Sequence, residues 1–373
     1  MTIFNPSLNL TQYLQTLPSD WPGGFWWHWL VFTVIILVFV LSLVMGFIWI
    51  ERRAMGIMQA RLGPNRTGPF GLLQPVADAI KVLLKEDIVP FKADKIVHWL
   101  APIVAFAPVL MIFAVVPFQN GALLADLNVG ILYVVAISSV ATIGIFMAGW
   151  GSSNKYSLLG AMREVAAMVS YEIPVILSIA GVVLIAGSLS LNQIVLEQDI
   201  PFILLQPLGF LLFFIGSCAE INRSPFDLLE ADSELTAGFH TEYSGMKFAM
   251  FYLVEYAEAL ALSAIIATLF LGGWRGPVLP PWLWLVIKSM AVFFVLVWTR
   301  TTLPRIRIDQ LMALAWKFLF PLALINMIIT AIQVLVWPAA LPWTMIFVNL
   351  GIMAVLVLLW SKFFKLGLGR VEV

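Results

Sequence analysis

The sequence predicts an all-α integral membrane protein with about nine transmembrane helices, one amphipathic interfacial helix and the amino terminus outside. Of the 373 residues, 61% are hydrophobic and only 11% are charged, about half the charged fraction of a soluble globular protein. Apolar runs long enough to cross a hydrocarbon core of about 30 Å recur along the chain. No alternating strand pattern accompanies them, so a closed barrel is excluded.

Nine apolar runs account for the predicted transmembrane helices, because a helix needs roughly 20 residues to cross the hydrocarbon core. In chain order they cover residues 26–50, 97–118, 129–150, 165–188, 202–222, 246–272, 280–302, 313–337 and 341–362. No internal repeat divides them, which disfavours the inverted-repeat transporter folds. We therefore expect a single polytopic membrane domain over residues 1–373.

The basic residues give the predicted orientation, since Lys and Arg collect in the cytoplasmic loops of membrane proteins. Nineteen of the 21 Lys and Arg residues fall in alternate connections. These are residues 51–95 with eight, 151–164 with two, 223–247 with two, 300–317 with four and 362–373 with three. Nine crossings from an outside amino terminus place all five segments inside.

The first inner loop, residues 51–95, contains the predicted amphipathic helix. One side of its helical wheel collects the apolar residues Leu72, Leu73, Val76, Ile80, Leu83 and Leu84. The opposite side collects Gln74, Asp78, Lys81 and Lys85. This segregation predicts either a helix lying in the membrane interface or an ordinary surface helix packed on the bundle.

Several classes of function are excluded by what the sequence lacks. A single cysteine, Cys218, excludes an iron–sulfur or zinc site built by this chain alone. The glycines of "RLGPNRTGPFG" fit neither the dinucleotide nor the P-loop spacing. The sequence contains no serine-hydrolase elbow and no HExxH helix. The formal net charge is zero and the basic residues are dispersed, so nothing indicates nucleic-acid binding.

Acids inside the apolar runs are the first candidates for function, because a charge at mid-bilayer costs about 2.5–3.5 kcal/mol. Glu172 has no cation nearby in sequence, which favours a proton-carrying role. Glu164 follows Arg163 and is expected either to be neutralised by it or to act with Glu172. Glu255 and Glu258 lie one turn apart and should share a proton, because neighbouring carboxylates repel when both are ionised.

The inner loop over residues 223–247 is acidic on the side where basic residues normally gather. Its acids, with Glu220 just before it, are Asp227, Glu230, Asp232, Glu234 and Glu242. The loop is expected to be either a solvated acidic surface or a set of coupled carboxylates that passes protons. Glu220 and Arg223 have the spacing of a simple ion pair. Lys288, inside an apolar run, is expected to be a counter-ion for an acid or to snorkel.

Five long stretches, in order, resemble one family: the quinone-site membrane subunit of respiratory complex I, which is subunit 1 of the mitochondrial enzyme and has a bacterial counterpart. They are "ERRAMGIMQARLGPNRTGPFGLLQPVADAIKVLLKEDIVP", "GWGSSNKYSLLGAMREVAAMVSYEIP", "AEINRSPFDLLEADSELTAGFHTEYSGMKFAMFYLVEY", "LFLGGW" and "RTTLPRIRIDQLMALAWKFLFPLAL". The resemblance runs from the first apolar run to the eighth. Leu229, Asp232 and Ala167 depart from the common pattern, which has proline, glutamate and glutamine at these positions.

The resemblance implies a quinone tunnel beside a docked hydrophilic arm, built partly by the first inner loop. The matching quinone-binding residues are Glu51, Arg52, Arg61, Gly63, Pro64, Asn65, Arg66 and Asp78. It also implies a path of carboxylates that relays redox energy to proton translocation. The matching relay residues are Glu172, Glu220, Arg223, Asp227, Glu230, Asp232, Glu234, Glu242 and Glu255, with Tyr243 and Arg300 as lesser candidates. Glu258 is not carried over, because the family's acid matches Glu255 more closely.

The resemblance therefore implies a membrane subunit of a proton-pumping NADH:quinone oxidoreductase. The chain is expected to bind no cofactor of its own and to take quinone as substrate, while partner subunits supply FMN and iron–sulfur clusters. Expected partners are the lipid membrane, the hydrophilic-arm subunits carrying the terminal iron–sulfur cluster and the other membrane-arm subunits. A bacterial plasma membrane is favoured over the mitochondrial inner membrane. The alternatives are the equivalent subunit of a membrane-bound hydrogenase or other donor:quinone complex, and a stand-alone proton-coupled transporter.

Overall fold

A computed structural model shows the chain as a bundle of long helices and describes residues 25–120, 125–227, 236–337 and 345–363, with the isolated positions 123 and 343. Within these residues the helices are α1 (Phe25–Met58), α2 (Gln74–Leu83), α3 (Lys95–Ile112), α4 (Gly130–Gly151), α5 (Lys155–Ala186), α6 (Leu191–Glu197), α7 (Phe202–Leu205), α8 (Pro207–Glu220), α9 (Gly245–Phe270), α10 (Pro281–Thr302), α11 (Ile308–Val336) and α12 (Met345–Phe363). Short 3₁₀ turns cover Pro69–Gly71 and Gly238–His240. The described part contains no strand, and the all-α class is confirmed.

Eight of the nine predicted transmembrane runs overlap with one helix each in the described chain, and the run over residues 202–222 is divided at Gln206 into α7 and α8. Six helices, α3, α4, α5, α9, α10 and α11, are long and apolar enough to cross a membrane. Helices α8 and α12 are shorter apolar helices, and α1 is 34 residues long. The predicted integral membrane architecture is therefore confirmed.

Two helices extend furthest beyond the apolar runs that predicted them, whereas α3 ends at Ile112, before its run does. α1 continues to Met58 although its run ends at residue 50, and α5 begins at Lys155 although its run begins at residue 165. Both extensions carry acids, Glu51 and Glu164, which are buried against polar partners from other parts of the chain. An apolar run ends at the first charged residue, so hydropathy predicts the end of the helix there. The helix itself can continue past that residue when the buried charge is paired with a polar group elsewhere in the fold.

Helix α9 lies at the centre of the bundle. Within its apolar window 83% of the residues are buried, compared with 50% or less in the other five long apolar helices. It packs on α1, α3 and α10, while α5 packs on α4, α8 and α11. Small residues permit close approach between neighbours: a Cβ on Gly144 in α4 would lie 2.5 Å from the backbone nitrogen of Ala105 in α3.

The connections predicted to be inner lie on one side of the bundle. The backbone nitrogen of Asp94, just before α3, donates to the carbonyl of Gly151 at the end of α4 at 3.0 Å. At the opposite side, the nitrogen of Ile131 near the start of α4 donates to the carbonyl of Leu189 just after α5 at 3.1 Å. The alternation of the helices therefore agrees with the predicted division into two sets of loops.

Lys288 stabilises the predicted outer end of the bundle and, among the residues that the structure describes, does not pair with an acid. Its ammonium donates to the carbonyls of Gly273 and Arg275 at 2.9 and 2.7 Å. Arg275 in turn donates to the carbonyls of Leu196 and Gln198. Of its two expected roles, these contacts agree with snorkelling rather than with pairing to an acid, because the cation reaches carbonyls in the connection between α9 and α10.

Amide side chains fasten the last helix to the bundle. Asn349 of α12 donates to the carbonyl of Leu205 at 2.5 Å and accepts from Gln333 of α11 at 2.6 Å. Nearby, Gln206 donates to the hydroxyl of Thr330 at 2.8 Å. Because apolar side chains gain little by leaving lipid for a helix interface, such polar contacts give α12 a defined position.

Candidate functional site

Two acids and two arginines form a buried charge cluster near the predicted inner side: Glu51, Arg223, Glu255 and Arg300. The carboxylate of Glu51 is completely buried and accepts hydrogen bonds from Arg223, at 2.7 Å, and from Arg300. The Nε of Arg223 lies 3.2 Å from Oε1 of Glu255 and forms a second ion pair. The four formal charges cancel, which a group of charges in a poorly hydrated site requires.

Arg223 is the central member of the charge cluster. Its guanidinium lies 4.5 Å from the ring centroid of Tyr256, a cation–π contact. Burial by itself lowers the pKa of Arg223, but the carboxylates of Glu255 and Glu51 outweigh burial and raise that pKa above its usual value. Arg223 is therefore a permanent cation. The predicted pair of Arg223 with Glu220 is wrong, because the acids bound to Arg223 are Glu51 and Glu255.

A central cavity deeper in the bundle collects three acids. It offers about 60 Å³ of space for water and is lined by Glu172 of α5, Glu220 of α8 and Glu258 of α9, among apolar side chains. The hydroxyl of Ser139 in α4 donates to Glu172. Ser138, in the same helix, lies beside Glu220. The structure thus brings the predicted relay residues Glu172 and Glu220 together from two different helices.

A smaller inner cavity, with about 40 Å³ of space for water, lies nearer the inner loops. Its polar lining consists of Glu164, Asn222, His240, Tyr252, Glu255 and Glu258. Asn222 donates to Oε1 of Glu164 at 2.6 Å, whereas the second carboxylate oxygen is buried without a hydrogen-bond partner among the described residues. Glu255 and Glu258, which were expected to share a proton, both line this cavity, and Glu255 is also held in the charge cluster by Arg223.

The amphipathic helix is present as α2, and its apolar side does not pack on the bundle. Leu73 is 53% exposed, Leu83 is 62% exposed and Leu84 is 83% exposed. The only fully buried residue of α2 is Pro75. An ordinary surface helix packed on the bundle through its apolar side is therefore excluded, and the apolar side faces outward from the chain, as an interfacial helix requires.

The polar side of α2 forms one wall of a third, surface cavity. Asp78 binds Nη1 of Arg52 at 2.5 Å and accepts from Gln74 at 2.9 Å. The surface cavity has about 470 Å³ of space and is lined by Arg52, Asp78, Lys81, Val82, Lys85, Tyr243, Ser244, Gly245 and Phe248. Because Arg52 follows Glu51 in α1, a wall residue of the surface cavity is covalently next to a member of the charge cluster.

The glycine-rich segment after α1 is held against that helix by Arg53. Its guanidinium lies over the rings of Trp49 and Phe70, at 5.4 and 5.3 Å from their centroids, and donates to the carbonyl of Phe70. Gly71 has a φ of +75°, and a Cβ there would collide with the backbone of Pro64. Only glycine fits this turn. Sequence reasoning did not single out Arg53, since nothing in the sequence distinguishes it from Arg52.

The remaining predicted quinone-binding residues do not line the surface cavity. Arg61, Asn65 and Arg66 are exposed, and the Nε of Arg61 donates to Gln59 at 2.7 Å. Gly63 and Pro64 are half-buried in the turn that returns towards α1. Of the eight predicted residues, the structure therefore unites Arg52 and Asp78 at the surface cavity and places Glu51 in the charge cluster.

Tyr243 separates the surface cavity from α3. Its ring stacks on His98, with centroids 4.0 Å apart and an interplanar angle of 2°. Burial raises the pKa of Tyr243, so the side chain remains a neutral phenol at physiological pH. Its hydroxyl is buried without a hydrogen-bond partner within the described chain.

The other predicted relay residues lie apart from the cavities or outside the described residues. Glu242 accepts from Asn154, the N-cap residue of α5, at 2.6 Å. Asp227 is half-buried in the segment after α8 and interacts with the charge of Glu164. Glu230, Asp232 and Glu234 lie outside the described residues.

Several residues at these cavities were missed or set aside by sequence reasoning. The serines of the central cavity had a signal, because "ISSV" places two adjacent hydroxyls in the middle of an apolar run. Asn222 had none, since only the folded chain brings it to Glu164. Glu258 was recognised as an intramembrane acid and then not retained. No group of three or more His, Cys, Asp or Glu side chains that could hold a metal ion occurs in the described ranges.

Known proteins similar to this chain agree with its architecture. The model of the family described as "NADH dehydrogenase" matches residues 31–331. A protein of Dehalococcoides mccartyi strain CBDB1, named as one of the subunits of NADH-quinone oxidoreductase, is 62% identical over 351 residues, which cover 94% of this chain and 99% of that protein. The protein of the same name from Bacillus mycoides strain KBAB4 is 51% identical over 330 residues, covering 87% of this chain and 98% of that one.

Proposed function

The chain belongs to the NADH dehydrogenase family, and from this premise we propose that it is the membrane subunit of a proton-pumping NADH:quinone oxidoreductase. In this role it binds quinone at the surface cavity and relays the resulting charge change into the membrane. Relatives named as the corresponding subunit of NADH-quinone oxidoreductase, matched over nearly their full length, favour this function over that of a hydrogenase component or a stand-alone transporter.

The surface cavity has the size and chemistry that a quinone needs. Its volume of about 470 Å³ lies within the range of roughly 300–1,000 Å³ typical of small-molecule sites. The ion pair of Arg52 with Asp78 offers charged groups to a polar headgroup. On the other side of α2, exposed leucines provide an apolar path for an isoprenoid tail to lipid. The phenol of Tyr243 is a neutral hydrogen-bond donor on the same lining.

One observation carries the proposal of coupling: Arg52 and Glu51 are consecutive residues that point to different sides of one turn of α1. Arg52 belongs to the surface cavity, and Glu51 belongs to the charge cluster. A charge that develops on the quinone therefore acts across one helix on a buried, balanced set of ions. In such a site, charge interactions are screened far less than in water.

The carboxylates beyond the charge cluster supply the relay. Glu255 belongs to both the charge cluster and the inner cavity, and Glu172 faces Glu220 in the central cavity. A water molecule needs about 10–15 Å³ of accessible space, so each cavity has room for a few. Carboxyl groups and water molecules together can pass protons through cavities of this kind.

The exposed part of the first inner loop is proposed to receive the hydrophilic arm. It presents arginine side chains next to Leu62, which is 90% exposed, and Ile57, which is 74% exposed. Exposed apolar side chains next to cations are typical of protein interfaces. In this assignment partner subunits supply FMN and the terminal iron–sulfur cluster, and the chain lies in a bacterial plasma membrane.

The experiment that tests the proposal uses the purified complex in proteoliposomes. Asp78→Asn is expected to raise the KM for quinone several-fold, and Glu172→Gln is expected to lower the rate of proton pumping while leaving assembly intact. The control is Glu197→Gln, an exposed acid at the opposite end of the bundle. Unchanged quinone kinetics in Asp78→Asn would remove the headgroup assignment, and unchanged pumping in Glu172→Gln would remove the relay role.

A separate measurement distinguishes an NADH:quinone oxidoreductase subunit from a hydrogenase subunit. Membranes from cells lacking this chain should lose NADH-driven quinone reduction, because the proposed site of that reaction is incomplete without it. If the rate were the same in the presence and absence of the chain, the donor assignment would be wrong.

A further inference from the structure

Two acids, Glu164 and Glu258, have no part in the relay described above; Glu164 is buried and Glu258 is half-buried. Glu164 lines the inner cavity, and Glu258 lines both the inner and the central cavity. Among the acids on these two linings within the described chain, only Glu258 is shared. Its position on α9 places one carboxyl group between two water-sized spaces that are otherwise separated by apolar side chains.

The state of Glu164 indicates what occupies the inner cavity. The residue is 2% exposed, and one oxygen accepts from Asn222 while the other has no hydrogen-bond partner in the described protein. A buried carboxylate oxygen without a partner is costly. Water in the cavity or a proton on the oxygen removes that cost, and the inner cavity has room for water.

Each of these acids interacts electrostatically with at least one other acid of the two cavities. The charge of Glu258 interacts with those of Glu220 and Glu255, and the charge of Glu164 interacts with that of Glu258. Glu220 interacts in turn with Glu172. Within the described part of the chain, no carboxyl group other than that of Glu258 links the acids of the central cavity to those of the inner cavity.

We propose that Glu258, supported by Glu164, carries protons between the inner cavity and the central cavity; this rests on the proposed function, because it joins two parts of that relay. In each transfer the O–H bond of a protonated carboxyl breaks as an O–H bond forms on a water or on the next carboxylate, and no electron moves. Glu164 holds the second exchangeable proton of the inner cavity through its unbonded oxygen.

The decisive variant is Glu258→Gln, which keeps the size and hydrogen-bonding ability of the side chain but cannot carry a proton. Because acid–base groups contribute about 10²–10⁴ to rate, we expect proton pumping by the whole complex in proteoliposomes to fall at least about tenfold. Glu164→Gln should lower it to a smaller extent, and Glu258→Asp should restore a measurable part. Glu197→Gln, exposed at the opposite end, should leave it unchanged.

The same assay separates this inference from the proposed function. If Glu172→Gln abolishes pumping while Glu258→Gln matches the unaltered complex, Glu258 is not a carrier and the relay bypasses it. If neither variant changes pumping, the relay itself is wrong. Equal loss in Glu258→Gln and Glu258→Asp, with assembly intact, would show a structural role and overturn the inference.

A spectroscopic readout covers the case in which Glu258→Gln assembles poorly. Infrared difference spectra on quinone reduction report carboxyl groups that gain or lose a proton through their C=O stretching band. Glu164→Gln and Glu258→Asp complexes should each show an altered band. Bands identical to those of the unaltered complex would overturn the inference without requiring the Gln variant at Glu258.

Discussion

Neutralising Glu51 should destabilise the complex more than any neutralisation of an exposed acid. The substitution Glu51→Gln keeps the side chain's size but changes the net charge of the charge cluster from zero to +1, leaving Arg223 and Arg300 together. With charge centres about 4 Å apart and an effective dielectric constant of about 20, each lost ion pair is worth about 4 kcal/mol. Removal of a dehydrated carboxylate recovers part of that loss, so the expected net cost is about 3–5 kcal/mol.

The measurement is the thermal unfolding midpoint of the solubilised complex, which should fall by about 5–15 °C. The double variant Glu51→Gln/Arg300→Gln restores a net charge of zero and should recover part of the loss, with a coupling energy of about 0.5–3 kcal/mol. Glu197→Gln, exposed on the other side, should stay within about 0.5 kcal/mol of the unaltered complex. A midpoint for Glu51→Gln equal to that of Glu197→Gln would refute a buried, dehydrated cluster.

Other predictions concern the surface cavity and the last helix. Arg52→Gln removes the ion pair with Asp78, in which the two side chains are 43% and 38% exposed, so the free energy of unfolding should change by less than about 1 kcal/mol. The KM for quinone should rise, and an unaltered KM would contradict quinone binding at the surface cavity. Asn349→Leu removes the hydrogen bond with Gln333 and should cost about 1 kcal/mol, measured as a lower unfolding midpoint; no change means that lipid-facing contacts suffice for α12. Because burial raises the pKa of Tyr243, the folded state disfavours the phenolate and loses stability as pH rises above about 10, and Tyr243→Phe should reduce this alkaline loss; equal pH profiles refute it.

The transmembrane helices were predictable because apolar runs report membrane crossings directly, but the ends of two of them were not. Hydropathy placed the end of α1 before Glu51, although the residue is buried inside the fold. Its partner Arg223 lies 172 residues further along the chain. Nothing in the sequence near either residue indicates that they pair. Sequence analysis therefore treats Glu51 as exposed to water, although the folded chain buries it against Arg223.

The orientation of the amphipathic helix α2 also could not be predicted from the sequence. The sequence predicted the helix and the division of its sides, and α2 has both. It did not predict that the polar side would turn towards the chain, where Asp78 meets Arg52, and leave the apolar side outside. In water the opposite arrangement would be the stable one. The arrangement is stable only if lipid or a partner covers the apolar side, which follows from the membrane environment and not from the wheel.

The distribution of cations decides which acids can act as proton carriers. The charge cluster has two guanidinium groups for two carboxylates, so its acids are matched by fixed positive charges. The lining of the central cavity contains Glu172, Glu220 and Glu258 and, within the described chain, no Lys or Arg. Carboxylates that share a nearly apolar space without a cation repel one another, so the acids of the central cavity lack the fixed positive charge that holds the acids of the charge cluster. In the proposed relay, a shift of charge in the charge cluster therefore acts on these acids through the inner cavity and Glu258, and a redox event at the protein surface would be converted in this way into proton movement within the membrane.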